Sequence, residues 1–211
     1  MNLAVGLPEK MVYGEDREMM TAIRKVPVAE AYLSKESFEG DGVADKKHHG
    51  GRDRAVCIYP FEHYALWEEQ FGQRLPAATF GENLTVTQML EKDVFIGDVF
   101  QVGEAVIQVT QGRVPCNTID RRMDMAPLMK AMVKTGFTGY MCRVIEEGAI
   151  RRDSEIRLVE RGKGEVSVLY ANDVNFHQSR NAEAIRRVLE AHALAPEWQD
   201  WLTKKLIKLT E

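Results

Sequence analysis

The chain has 211 residues, 45% hydrophobic and 28% charged, which is ordinary for a soluble globule and enough to bury a core without staples. A net charge of -4 argues against binding a nucleic-acid polymer, and no window of ~18 apolar residues is present to span a membrane. The opening stretch "MNLAVGLPEKMVYGE" lacks a signal-peptide pattern, and Cys57, Cys116 and Cys142 form no Cys-x-x-Cys pair, so the expectation is a cytoplasmic protein with reduced thiols and no structural zinc.

Residues 1 to 60 read as short strands separated by turns. Within them "VPVAEAYLS" (26–34) is strand-like, with Val26, Val28 and Tyr32 as inward positions. A glycine-rich polar loop, "SFEGDGVADKKHHGGRD", follows. "RAVCIYP" then reads as a buried strand ended by Pro60. Pro60 also suits the first turn of a helix, "PFEHYALWEEQFG", stopped by Gly72 and lining up Phe61, Tyr64, Trp67 and Phe71 on one face. "ATFGENLTV" predicts a turn entering a strand. "DVFIGDVFQVGEAVIQVTQ" predicts a hairpin with turns at Gly97 and Gly103. "APLMKAMVKTG" predicts a short helix opened by Pro127 and closed by Gly136, and "GYMCRVIEEGAIRRDSEIRLVER" predicts strand, turn and strand.

After about residue 163 the period lengthens. "SVLYANDVNFHQ", "NAEAIRRVLEAHALA" and "PEWQDWLTKKLIKL" carry helical spacing. Ile185, Val188, Leu189 and His192 share one face; Trp198, Trp201, Leu202, Leu206 and Leu209 share another. Short strands with interspersed helices favour a mainly β barrel or sandwich over a parallel α/β sheet. Helices this short need a partner, so the last three should form a bundle or dock on the barrel. The expected division is a β domain over residues 1–163 and a three-helix domain over residues 164–211, near the linker "RGKGE".

Three stretches carry chemistry. In "TQGRVPCNTID", Cys116 follows Pro115 where a strand must stop, with Arg113 close by and polar Asn117 and Thr118 next to it. A buried packing thiol and a functional thiolate are both open here, since a positive neighbour favours the thiolate. Cys57 and Cys142 lie in apolar runs and read as packing residues. "DKKHHGGRDR" gathers Lys46, Lys47, His48, His49, Arg52 and Arg54 around two glycines. It suits an anion such as phosphate, or a solvated basic loop. "FGENL" offers Glu82 and Asn83 beside a strand. His63, His177 and His192 sit on helical faces and read as packing or surface residues. No P-loop, Gly-x-Gly-x-x-Gly, Gly-x-Ser-x-Gly or His-Glu-x-x-His is present.

Taken together and in order, "IRKVPV", "GDGVADKKHHGGRDRAV", "FGENLTV", "IGDVFQVGEAVIQVTQGRVPC" and "GYMCRVIEEGAI" resemble the MOSC domain family, found at the C-terminus of molybdenum-cofactor sulfurases. The likeness covers about residues 3 to 160, and the tail is similar to the three-helix domain of the YiiM-like, hydroxylaminopurine-resistance subgroup. The resemblance implies an antiparallel β-barrel with short inserted helices, and a molybdenum cofactor (molybdopterin). It also implies reduction of N-hydroxylated bases and related N-hydroxy compounds in detoxification. By that likeness Cys116 is the molybdenum ligand. Lys47, His49, Arg52 and Arg113 receive the pterin phosphate, with Lys25 more remote, and Asn83 lines the pocket. His49 or Lys47 then supplies a proton to the leaving water. No flavin or iron–sulfur signature is present, so electrons must come from a separate donor protein. A non-catalytic cofactor carrier and a persulfide carrier at Cys116 stay open as alternatives. Gly112 departs from the family, where residues at that position are more variable and often larger.

Overall fold

The computed structural model describes residues 1–45 and 49–210. In chain order the strands are β1 (Asn2–Val5), β2 (Glu9–Tyr13), β3 (Arg17–Thr21), β4 (Val26–Pro27), β5 (Glu30–Leu33) and β6 (Val56–Pro60). Then come β7 (Leu84–Val86), β8 (Val99–Val102), β9 (Ala105–Gly112), β10 (Tyr140–Glu146), β11 (Gly148–Arg151) and β12 (Ile156–Glu160). Helix α1 (Glu62–Phe71) lies between β6 and β7, while α2 (Thr118–Met123) and α3 (Leu128–Thr135) lie between β9 and β10. Three helices end the chain: α4 (Val168–Phe176), α5 (Ala182–Leu189) and α6 (Pro196–Thr210). No helix among the described residues is long and apolar enough to cross a membrane.

The main sheet has eight strands in the order β12-β8-β9-β10-β6-β7-β1-β4 and curls into a half-barrel. Every junction is antiparallel except β6 with β7. Parallel neighbours need a crossover connection, and α1 supplies it. Two small antiparallel pairs, β2 with β3 and β5 with β11, complete the β architecture. Mainly antiparallel short strands with short helices and a helical tail are thus the architecture expected from the sequence.

Several local expectations need correction. Val26 and Tyr32 are exposed, and Leu33 is the residue of β5 that is buried. The stretch 26–34 is two strands with a break, so the alternation slips by one. Pro60 ends β6 opposite Val86 and does not open α1, whose N-cap is Phe61. On α1 the buried residues are His63, Tyr64 and Trp67, while Phe61 faces solvent. His192 lies beyond the end of α5 and is exposed, as are Trp201 and Leu209 of α6. The helix α2 was not foreseen, and "GYMCRVIEEGAIRRDSEIRLVER" yields three strands.

One core cluster joins Leu3, Ile58, Leu84, Val109 and Cys142 of the sheet to Val168, Ala171, Ile185, Val188, Trp198 and Leu202 of the tail. The last three helices therefore dock on the sheet and share its core. Ile96 N–H donates to the Val166 carbonyl at 2.9 Å, and Gly162 N–H donates to Asp98 Oδ1 at 2.8 Å. The segment near the expected linker is tied down at both points. A second cluster holds Tyr59, Tyr64, Trp67, Phe80, Ile119, Leu128 and Met132. In it Tyr59 stacks on Phe80 with ring centroids 4.0 Å apart and planes 22° from parallel. That stack sets the "FGEN" turn against the sheet, beside the strand end that carries Cys116.

Candidate functional site

Strand β9 continues its ladder to Gly112, and Arg113 adds one bond by donating its N–H to the Gly139 carbonyl at 3.0 Å. Pro115 has no N–H to offer, so pairing stops. Three residues on, at Thr118, α2 begins, and Ile119 N–H donates to the Cys116 carbonyl at 3.2 Å. Cys116 therefore sits on the turn from strand to helix and is partly exposed. Cys57 and Cys142 are buried.

The Cys116 sulfur accepts hydrogen bonds from the side chain of His49 and from the hydroxyl and N–H of Thr118. Burial alone raises a thiol's pKa. Here the His49 and Thr118 donors, with the charge of Arg113, outweigh burial and bring it down to about 6. The same contact raises the pKa of His49: the bond to Cys116 leads, burial opposes it, and the thiolate and Asp45 add their charge. Each group favours the charged form of the other. His49 stands at the solvent edge, and its backbone N–H donates to the Asp45 carbonyl at 3.0 Å.

Arg113 lies beside the sulfur. Its Nη2 donates to the Phe80 carbonyl, and its Nη1 is buried with no hydrogen-bond partner among the described residues. A buried guanidinium donor without a partner costs free energy, so this atom has capacity for an anion. Burial works against the charge on Arg113; the thiols of Cys57 and Cys116, with Glu82 and Tyr59, favour it. Cys57 thus lies under charged groups, unlike Cys142, which is packed in the apolar core.

Lys25 and Asn83 meet at Asp41. Lys25 Nζ pairs with Asp41 Oδ1, Asn83 Nδ2 donates to Asp41 Oδ2 at 2.9 Å, and Gly6 N–H donates to Asp41 Oδ1 at 2.9 Å. Asn83 Oδ1 accepts the Cys57 N–H at 3.1 Å. Lys25 and Asn83 are both buried, so their polar groups hold the wall together from within. Arg52 turns to the surface instead, where its Nε lies 2.7 Å from Glu36 Oε1. The structure brings Cys116, His49 and Arg113 together, places Lys25 and Asn83 in the wall behind, and directs Arg52 to Glu36. Lys47 lies outside the described residues.

Three residues of this site escaped the sequence reading of roles. Thr118 donates twice to the sulfur; its place two residues after Cys116 was the available signal. Asp41 joins the Lys25 and Asn83 segments, which only folding brings together. Arg122 Nη1 donates to the carbonyls of Ala78 at 2.6 Å and Thr79 at 3.0 Å. With Arg113 on Phe80, it anchors the chain on both sides of Cys116 to the same turn. Among the described residues no group of three or more His, Cys, Asp or Glu side chains is placed to hold a metal ion. The described residues offer a metal one soft thiolate, Cys116, and beside it the guanidinium of Arg113 and the imidazole of His49.

Gly112 has a reason in the tail. A Cβ built there would lie 1.7 Å from Asn172 Oδ1 on α4. Asn172 Nδ2 donates to the Gly136 carbonyl at 2.9 Å and to Thr138 Oγ1 at 3.0 Å, so Asn172 is fixed in that space. A larger residue at Gly112 and a docked α4 exclude each other.

Residues 45–157 match the MOSC domain, and residues 166–208 match the YiiM-like, 3-alpha helix domain. The chain is 41% identical over 210 residues to the uncharacterized protein YflK of Bacillus subtilis, covering 99% of this chain and 95% of that one. The crystal structure of YiiM from Geobacillus stearothermophilus superposes with a TM-score of 0.83 at 35% identity, covering 97% of both chains. A protein of Gibberella moniliformis named Reductase is 33% identical over 136 residues, which are 61% of this chain and 24% of that longer protein.

Proposed function

Because the chain belongs to the MOSC domain family, in its YiiM-like branch, we propose that it is a molybdenum-cofactor-dependent oxidoreductase that reduces N-hydroxylated bases and related N-hydroxy compounds. One observation carries the reading. A partly exposed thiolate, Cys116, is held by His49 and Thr118 next to a buried Arg113 donor that has no partner among the described residues. A soft ligand and an anion-binding group stand side by side, which is what a metal carried on a phosphate-bearing pterin needs.

In this reading Cys116 would hold the molybdenum, and Arg113 and His49 would bind anionic groups of the cofactor. Lys25 and Asn83 support the wall from behind through Asp41. When bound, the cofactor supplies the two-electron chemistry, while the protein supplies binding, orientation and electrostatics. The overall change is balanced: the N–O bond of R–NHOH breaks, two electrons and two protons enter, and R–NH2 and water leave. His49, whose affinity for a proton is raised, carries one of those protons at its imidazole toward the leaving oxygen. Lys47 is proposed as a second donor on the same loop. No flavin or iron–sulfur signature is present in the sequence, so a separate donor protein supplies the electrons. A redox role is supported by the name of the fungal relative.

The test is anaerobic turnover of an N-hydroxylated purine by protein from a cofactor-competent host, with a reduced viologen as electron source. Reduction to the amine is expected, lost in Cys116→Ser and slowed on the order of 10²-fold in His49→Ala. A Cys116→Ser protein that keeps the full rate overturns the proposal. Tight pterin binding with no turnover under any reductant makes the chain a carrier instead.

A further inference from the structure

The loop that delivers His49 is anchored on the appended helices. It leaves His49 through Gly50 and turns at Gly51, where φ is +107, a backbone conformation that an L side chain resists. A single turn of 3-10 helix, Arg52–Arg54, follows. Arg54 Nε donates back to the Gly50 carbonyl at 3.0 Å, and its Nη1 lies 2.7 Å from Glu197 Oε2 in the first turn of α6. The neighbouring Asp53 is fixed from the same side. Its carboxylate lies 2.7 Å from Arg143, and Arg143 Nη2 also donates to the Ala193 carbonyl at 2.9 Å, just before α6. The Asp53 carbonyl accepts from Thr110 Oγ1 at 2.7 Å, and the Thr110 carbonyl accepts the Ala195 N–H at 3.1 Å.

We propose that Glu197 is a positioning residue of the Cys116 site: through Arg54 and the Gly50 carbonyl it holds the loop that brings His49 to the sulfur. This rests on reading Cys116 and His49 as the site. It gives the three-helix tail a part in the chemistry as well as in the core. Glu197 itself is exposed, with 62% of its side-chain surface accessible, while Arg54 shows only 17%. Replacing Glu197 therefore removes no core contact and takes away one ion pair of Arg54.

The experiment uses the 211-residue, cofactor-free chain and compares Glu197→Lys and Glu197→Gln with the parent. Two readouts are taken at pH 7: amide exchange over Gly50–Arg54, and thiolate absorbance near 240 nm, with Cys116→Ser as blank and His49→Ala as the reference for a lost contact. Glu197→Lys should exchange about fivefold faster there, with melting temperature nearly unchanged. It should also lose thiolate absorbance toward the His49→Ala level. Glu197→Gln, which keeps a hydrogen-bonding side chain, should recover most of both signals. If Glu197→Lys keeps the parent's exchange and absorbance while His49→Ala loses absorbance, the positioning role is overturned and the site reading stands. If the parent shows no thiolate above the Cys116→Ser blank, the site reading itself fails.

Discussion

Replacing Cys116 with serine exchanges one atom at a partly exposed turn, so the melting temperature should hardly move. Cys142 is fully buried in the apolar core, so Cys142→Ser places a hydroxyl without a built partner there and should cost about 1–3 kcal/mol by denaturant titration. The thiols also differ in acidity. Alkylation of Cys116 in the cofactor-free chain should have its midpoint near pH 6, against an ordinary value of 9.0. His49→Ala removes the leading donor and should move the midpoint upward. The sign for stability follows from the same bonds. A folded pKa below the unfolded one adds stability in full at pH above 9, and that contribution is lost as pH falls through about 6. The local string "RVPCNT" made Cys116 legible in the sequence, because proline, polar neighbours and a nearby arginine are all adjacent to it. The fate of the basic residues was not legible. Arg52 and Arg54 are two residues apart, and one pairs with Glu36 while the other pairs with Glu197. Composition reports the charges of a loop but not the acids that folding brings to it.

Strand β9 and helix α4 meet at Gly112, and their contact leaves no room for a side chain. Gly112→Ala should destabilise the chain by roughly 1–3 kcal/mol, as overpacking does. Adding Asn172→Ala should return part of that loss, since the two residues share one space and their effects cannot be additive. A double-mutant cycle in urea measures this directly. Helix α1, α3 and the β8–β9 hairpin were readable from spacing and glycine stops, because each depends on its own residues. The register of β5 was not, since a break after Pro27 resets which face is buried. Nor was α2 read, since it is six residues long and sits beside the thiolate turn.

For the whole molecule, the shared core decides what can be separated. Val168, Ile185, Val188, Trp198 and Leu202 belong to the same cluster as Leu3, Ile58 and Val109. A chain cut at residue 163 should expose that face of the sheet and be recovered as aggregate, or with markedly lower cooperativity on melting. The change of period near residue 163 announced the helices that start at Val168. It did not show that Asn172 and Glu197 of the tail reach the strand end and the loop of the site. The central claim is that Cys116 holds a molybdenum cofactor. The most direct measurement is molybdenum content and pterin fluorescence of the parent chain and of Cys116→Ser, purified side by side from a cofactor-competent host. The account predicts metal and pterin in equal amounts on the parent and strong depletion of both on the variant. Neither on the parent, or the same amounts on both proteins, would contradict it.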